Sequence, residues 1–151
     1  MKILMVCLGN ICRSPMAEGI MKKMLEERAN GPWEVDSAAV GDWHRGQLPD
    51  SRAIKTAARY DIDITDQRAR QISADDLDYF DHVLVMDEEI LESILALSEL
   101  PDHRKKVRLI LDEAYPGEGR IVPDPYYSGR FEESFRLIRT ACEAFLAGRG
   151  I

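Results

Sequence analysis

Residues 2–15 read Lys2-Ile3-Leu4-Met5-Val6-Cys7-Leu8-Gly9-Asn10-Ile11-Cys12-Arg13-Ser14-Pro15. The apolar run over residues 2–6, followed at once by turn residues, has the pattern of a strand covered on both faces. Ser14 in N-cap position with Pro15 at the first helical site predicts the start of a helix. Its core face is Ala17, Ile20, Met21, Met24 and Leu25, spaced three and four apart, and Asn30, Gly31 and Pro32 end it. A strand, a short loop and a helix N-terminus in this order aim unpaired backbone N–H groups and the positive end of the helix dipole at one point, which makes an anion cradle. Gly9 and Asn10 tolerate the left-handed backbone such a loop needs. Arg13 adds a planar, two-pronged donor suited to a tetrahedral oxyanion.

Working outward, residues 33–39 read as a second strand, followed by a long loop over 40–49 that carries Trp43 and His44. Helices are predicted over 50–60 and, shorter and polar, over 73–79. Residues 82–86 form an apolar third strand, and 87–97 a helix with Ile90, Leu91, Ile94 and Leu95 inward. Residues 106–111 make a fourth strand, and 112–129 a long excursion. The chain closes on an amphipathic helix whose stripe is Phe131, Phe135, Ile138, Cys142 and Phe145. Strands joined by helical crossovers pair in parallel, and the crossovers are right-handed. The expectation is one α/β domain over residues 1–151, a four-stranded parallel sheet flanked by helices on both faces, with a phosphate-binding loop after the first strand. Ligands in such folds sit beyond the carboxyl ends of the strands, where strand order reverses.

The size fits one compact domain: 151 residues leave no room for a second catalytic domain, and 45% hydrophobic with 31% charged residues is ordinary globular composition. Twenty basic against twenty-seven acidic residues, net −7, argue against a general nucleic-acid binder or a protein held on anionic membranes. The longest apolar run, residues 3–8, is far short of the roughly 18 residues of a membrane span and lacks the flanks of a signal peptide. A cytoplasmic protein is therefore expected. Three cysteines suit a reducing compartment better than a disulfide scaffold.

A cysteine at the mouth of an anion cradle is unusual, because the field that attracts a phosphate also favours the thiolate. Cys7 is then an activated nucleophile toward a bound phosphoryl group, and Ser14 is placed to donate a hydrogen bond to its sulfur. A leaving oxygen departs more easily if a carboxylic acid protonates it. Asp124, between Pro123 and Pro125, sits on a stiffened loop and can supply that proton. Taken alone, Pro-Asp-Pro is a turn and Cys7 a buried small hydrophobe; it is their combination with the cradle that points to chemistry. Trp43 reads equally as a loop anchor or as part of a ring-binding wall. Cys12 reads equally as a small buried filler or as a thiol that caps an oxidised Cys7 in a reversible disulfide.

Cys-Leu-Gly-Asn-Ile-Cys-Arg-Ser-Pro early in the chain and Asp-Pro-Tyr-Tyr late in it resemble the low-molecular-weight protein tyrosine phosphatases, as do Asp36-Ser37-Ala38-Ala39 and Val85-Met86-Asp87-Glu88. The resemblance spans essentially the whole sequence. It implies a phosphocysteine at Cys7, and phosphoryl oxygens held by Arg13 and by the loop of Leu8, Gly9, Asn10, Ile11, Cys12 and Ser14. It also implies that Asp124 acts first as acid and then as base toward water. Asn10 would be held left-handed by bonds that include Ser37, and Leu8, Ile11, Trp43, Tyr126 and Tyr127 would line the slot for an aromatic ring. No metal or organic cofactor is implied. The implied partner is a phosphotyrosine-containing protein, met by a monomer or weak homo-oligomer without nucleic acid or membrane. Two departures stand out. Relatives often have about two more residues between the tyrosine pair and the last helix, and many carry a histidine where Gln67 stands.

Arsenate reductases resemble this cradle but need further cysteines for a disulfide relay, and beyond Cys12 only Cys142 is left, on a buried stripe. Relatives acting on phosphoarginine carry threonine where Ile11 stands, and an apolar residue there favours an aryl phosphate. A non-catalytic phosphate-binding or redox-sensing module must treat Asp124 as a turn residue. Gly41 to Gly46 has Walker-like glycine spacing but continues Gln47-Leu48, which excludes that loop. His44, His82 and His103 are scattered, so surface or cap positions are expected for them rather than zinc ligation.

Overall fold

The computed structural model describes residues 1–151. Four strands, β1 (Lys2–Cys7), β2 (Glu34–Ala39), β3 (His82–Val85) and β4 (Val107–Leu109), form one sheet in the order β2-β1-β3-β4, every pair parallel. β1 is central, and Ile3 to Val6 are fully buried, which accounts for its unbroken apolar run. The helices are α1 (Arg13–Arg28), α2 (Ser51–Ala58), α3 (Ala74–Tyr79), α4 (Glu88–Leu95), α5 (Pro101–Arg104), α6 (Pro125–Ser128) and α7 (Phe131–Ala147). α1 and α7 pack on each other, α1 covers β1 and β2, and α4 covers β3 and β4.

From β1 the chain moves to one side of the sheet for β2 and then crosses to the other for β3, so the loop after Cys7 lies at the switch in strand order. Because every strand runs the same way, the segments leaving all four emerge at one edge. They carry Cys7 to Arg13, the Trp43 loop, Asp87 and, after β4, the excursion with Asp124.

Several expectations need correction. α1 begins at Arg13, with Cys12 in the N-cap place and no side-chain cap, so Ser14 is not the cap. Its hydroxyl faces Cys7 and Asn10 instead, which leaves the first-turn amides of α1 without a competing side-chain acceptor. β4 stops at Leu109 and passes into a 3₁₀ turn (Ile110–Glu113). Ile110 and Leu111 are buried against α7, so their apolar character reflects that packing and not strand pairing. In α4, Ile90 and Ile94 are buried while Leu91 and Leu95 are half-buried. The four-residue helices α5 and α6 were not foreseen, since one turn carries no readable period. The α7 stripe of Phe131, Phe135, Ile138, Cys142 and Phe145 is buried throughout. No helix is long and apolar enough to cross a membrane.

Candidate active site

Cys7 ends β1 and is 3% exposed, at the floor of a cleft of about 330 Å³. Around its sulfur the chain curls through Leu8 to Cys12, with Asn10 in the left-handed region at φ 57°. A non-glycine residue there costs roughly 1–2 kcal/mol, and three side-chain hydrogen bonds offset that cost. Asn10 Nδ2 donates to Ser14 Oγ (2.7 Å) and to Ser37 Oγ (2.9 Å), while Asn10 Oδ1 accepts from the Arg70 amide (3.1 Å). Ser14 Oγ lies 3.0 Å from Cys7 Sγ. Since that oxygen already accepts from Asn10, its own hydrogen is free to point at the sulfur.

The network continues inward. Ser37 Oγ donates to Glu18 Oε1 (2.7 Å), whose other oxygen takes Lys22 Nζ (2.7 Å). Burial pushes the Glu18 carboxyl above its ordinary range, against the pull of the Lys22 and Ser37 hydrogen bonds. The backbone amides of Leu8 through Ser14 donate to no acceptor within the chain, so the loop presents them to the cleft together with the N-terminal end of α1.

Arg13 is 2% exposed and held from behind. Its NH1 donates to Asp87 Oδ2 and to the Val122 carbonyl, both at 2.8 Å. Asp87 is itself fixed as the N-cap of α4, accepting from the Ile90 amide (3.0 Å). With NH1 occupied, Nε and NH2 remain as a parallel fork for two oxygens of one anion. Across the cleft Asp124 Oδ2 lies 3.6 Å from Arg13 NH2, and Oδ1 caps α6 through the Tyr126 amide (3.0 Å). Pro125 opens that helix, so the aspartate between two prolines serves as a cap whose second oxygen faces the guanidinium.

Leu8, Ile11, Trp43, Tyr126 and Tyr127 rim the cleft, and the two tyrosine rings meet edge to face at 4.9 Å. Trp43 is 65% and Tyr127 91% exposed, so neither is a core anchor. The Trp43 ring folds over Gly41, where a Cβ would come within 2.1 Å of it. Cys12 is buried among the residues that line the cleft, and burial, then the neighbouring Cys7, push its thiol up. The three-residue link from Tyr127 to α7 turns through Gly129 at φ 77°, with its amide on the Pro125 carbonyl (2.8 Å). Gln67 donates from Nε2 to the Pro15 carbonyl (3.0 Å), which ties its loop to the start of α1.

The residues singled out in the sequence meet around one cleft, except that Asn10, Ser14 and Ser37 are buried behind its lining as one bonded network. Others were missed. Asp87 enters the sequence analysis only as part of a resembling segment, and its pairing with Arg13, 74 positions away, is visible only in the fold. Glu18 and the Val122 carbonyl left no signal. His44, expected at the surface, lines the cleft and crowds Gly9, where a Cβ would lie 2.9 Å from its ring. His103, expected at a surface or cap position, is instead buried between Ser98 and Asp78. His82 is half-buried beside Arg108 and Phe145.

A parallel α/β sheet whose switch-point loop wraps a cysteine, with a pinned arginine and an opposing aspartate, defines a site class suited to phosphate monoesters. Residues 2–149 match the model of the low molecular weight phosphotyrosine protein phosphatase family, and the chain belongs to that family of phosphoric monoester hydrolases. It is 40% identical over 146 residues to the low molecular weight protein-tyrosine-phosphatase YfkJ of Bacillus subtilis, covering 96% of this chain and 93% of that one. To the low molecular weight phosphotyrosine protein phosphatase of Sus scrofa it is 38% identical over 148 residues, covering 95% and 92%. The crystal structure of YfkJ superposes with a TM-score of 0.93 at 38% identity, covering 99% of this chain and 94% of that one. A Drosophila structure described as an arginine phosphatase superposes at 0.91 with 34% identity, covering 100% and 99%.

Proposed function

We propose that the protein hydrolyses phosphotyrosine on proteins through a phosphocysteine at Cys7. The observation that carries this reading is the convergence of Cys7, Arg13 and Asp124 on one cleft with an aromatic rim. The amides of residues 8–14 and the Arg13 fork bind the three non-bridging oxygens. The Cys7 thiolate attacks phosphorus in line as the bond to the phenolic oxygen breaks, and Asp124 gives its proton to that oxygen. Tyrosine leaves. Asp124, now a carboxylate, takes a proton from water as the water oxygen attacks phosphorus, and the P–S bond breaks to return the Cys7 thiolate and inorganic phosphate. The Ser14 hydroxyl supports the sulfur both as attacker and as leaving group. Charge in both steps is carried by fixed donors already aimed at the oxyanion, so the chemistry requires no metal or organic cofactor.

Ile11 at the mouth of the cradle, with Trp43, Tyr126 and Tyr127 around it, favours a flat aryl group. The likeness to a Drosophila arginine phosphatase makes a phosphoarginine peptide the necessary comparison substrate. Under reducing, mildly acidic conditions, p-nitrophenyl phosphate and a phosphotyrosine peptide should turn over, and the phosphoarginine peptide far more slowly. Absence of aryl phosphate turnover supports a binding module and refutes the phosphatase reading. A nucleophile that works as a free thiolate suits a reducing compartment, which supports a cytoplasmic location for the protein.

Cys12 extends this proposal to redox control. Oxidation of Cys7 by peroxide gives a sulfenic acid, which condenses with the Cys12 thiol to a disulfide and water, and a dithiol restores both. Cys12→Ser should therefore recover less activity than wild type after peroxide and dithiothreitol; equal recovery removes the protective role.

A further inference from the structure

The first turn of α2 holds an arginine where the helix dipole disfavours one. Arg52 is two residues past the N-cap Asp50, at the end of the helix where cations are destabilising. Its side chain is nevertheless fixed there. Nε and NH2 bind Asp50 Oδ1 and Oδ2 at 3.0 and 2.9 Å, and the Arg52 amide caps onto the same carboxylate at 2.8 Å. This fork holds the Asp50 carboxyl below its usual range.

Locked in this way, the guanidinium lies 4.7 Å from the centre of the Phe131 ring, at the start of α7, and 5.5 Å from that of Tyr126, on the cleft rim. The Asp50 amide donates to the Ile11 carbonyl of the nucleophile loop at 2.8 Å. Asp50 and Arg52 thus join the cradle that holds the anion to the tyrosine beside it. Because Asp50 neutralises the charge, Arg52 is poorly suited to recruit an acidic residue of a substrate. What it offers is a flat, oriented cation against an aromatic face. Tyr126 belongs to a four-residue helix and is 40% exposed, and its ring stands between the edge of the exposed Tyr127 and the fixed Arg52 guanidinium.

Building on the phosphatase reading, we infer that Arg52, oriented by Asp50, is a positioning residue that sets the Tyr126 wall and thereby the preference of the cleft for aryl phosphates. It touches neither the phosphoryl group nor the sulfur, so its effect falls on the ring of the substrate and spares the anion.

The test is a split between two affinities. For Arg52→Ala, KM for a phosphotyrosine peptide should rise about threefold to tenfold, while the inhibition constant of inorganic phosphate stays within about twofold of wild type. Arg52→Lys, which keeps the charge but loses the fork, should restore only part of the difference. If Arg52→Ala does not fold, Asp50→Asn, which retains an acceptor for the Arg52 amide, should show the same split in smaller measure. An unchanged KM, or parallel weakening of peptide and phosphate, overturns the assignment. A wild-type protein that binds phosphate without turning over the peptide refutes the phosphatase reading instead, and that outcome is visible before any variant is made.

Discussion

The loop that carries Cys7 and the segment that carries Asp124 line the same cleft but are built in opposite ways. The first is buried, and its bends are pinned by side chains from α1, by Ser37 of β2 and by the Arg70 amide. The second is a short, exposed helix capped by the catalytic candidate itself and anchored by Ser134 Oγ on the Pro123 carbonyl (3.0 Å) and by the buried Val122 before it. Donors for a developing oxyanion act through preorganisation, and small displacements there are costly. A proton donor beside an aryl leaving group must also let that group enter and depart, and segments with few buried contacts open locally at low cost. On the proposed reading the rigid half binds charge, and the exposed half meets the ring.

Arg13→Lys attacks the rigid half most directly. A point charge cannot bridge Asp87, the Val122 carbonyl and two phosphoryl oxygens at once, so kcat should fall about 10³-fold on every aryl phosphate, read from steady-state kinetics. Asp124→Ala attacks the exposed half and should discriminate between substrates. Loss should be about 10²-fold on phenyl phosphate, whose leaving group needs a proton, and clearly smaller on p-nitrophenyl phosphate. Equal losses on both would remove Asp124 from the acid role.

Asn10→Ala sharpens the comparison through stability. It leaves a left-handed alanine and strips partners from Ser14, Ser37 and the Arg70 amide, so denaturant unfolding should show a loss of about 2–3 kcal/mol. Asn10→Gly relieves the backbone alone and should recover part of that loss. If alanine and glycine are equally mild, the side-chain bonds are not what hold the loop.

The smallest effect lies away from the cleft. Burial, then the charges of Arg108 and Arg149, lower the His82 pKa from 6.5 to about 4, against Asp81 and Glu113. In the unfolded chain the imidazole takes a proton below about 6.5, whereas the folded chain resists it. His82 therefore lowers stability as pH falls from about 6.5 to about 4 and contributes nothing above that window. Thermal melts of wild type against His82→Gln should diverge only there; parallel curves across the window would contradict the assignment.

Legibility in the sequence followed the same division. The cradle was readable because strand, glycine, left-handed asparagine and helix start are local signals, and the four strands because buried runs and crossovers leave few topologies. What stayed hidden depends on distant partners. Asp87 reaches Arg13 across 74 positions and the Val122 carbonyl reaches it across 109, distances no local pattern reports. Of the two roles the sequence offers for Ser14, the contact with the Cys7 sulfur holds and the helix cap does not, because its hydroxyl is turned to the thiol and to Asn10.

Everything proposed for the cleft requires that phosphate pass through the Cys7 sulfur. Rapid quenching of Asp124→Ala during p-nitrophenyl phosphate turnover, followed by peptide mass spectrometry and phosphorus NMR, reads this directly, because the missing base slows release of the phosphoenzyme. A phosphoryl group on Cys7 should accumulate within the first turnover and decay with phosphate release. Turnover with no phosphoryl group on Cys7, or with one on another side chain, would contradict it.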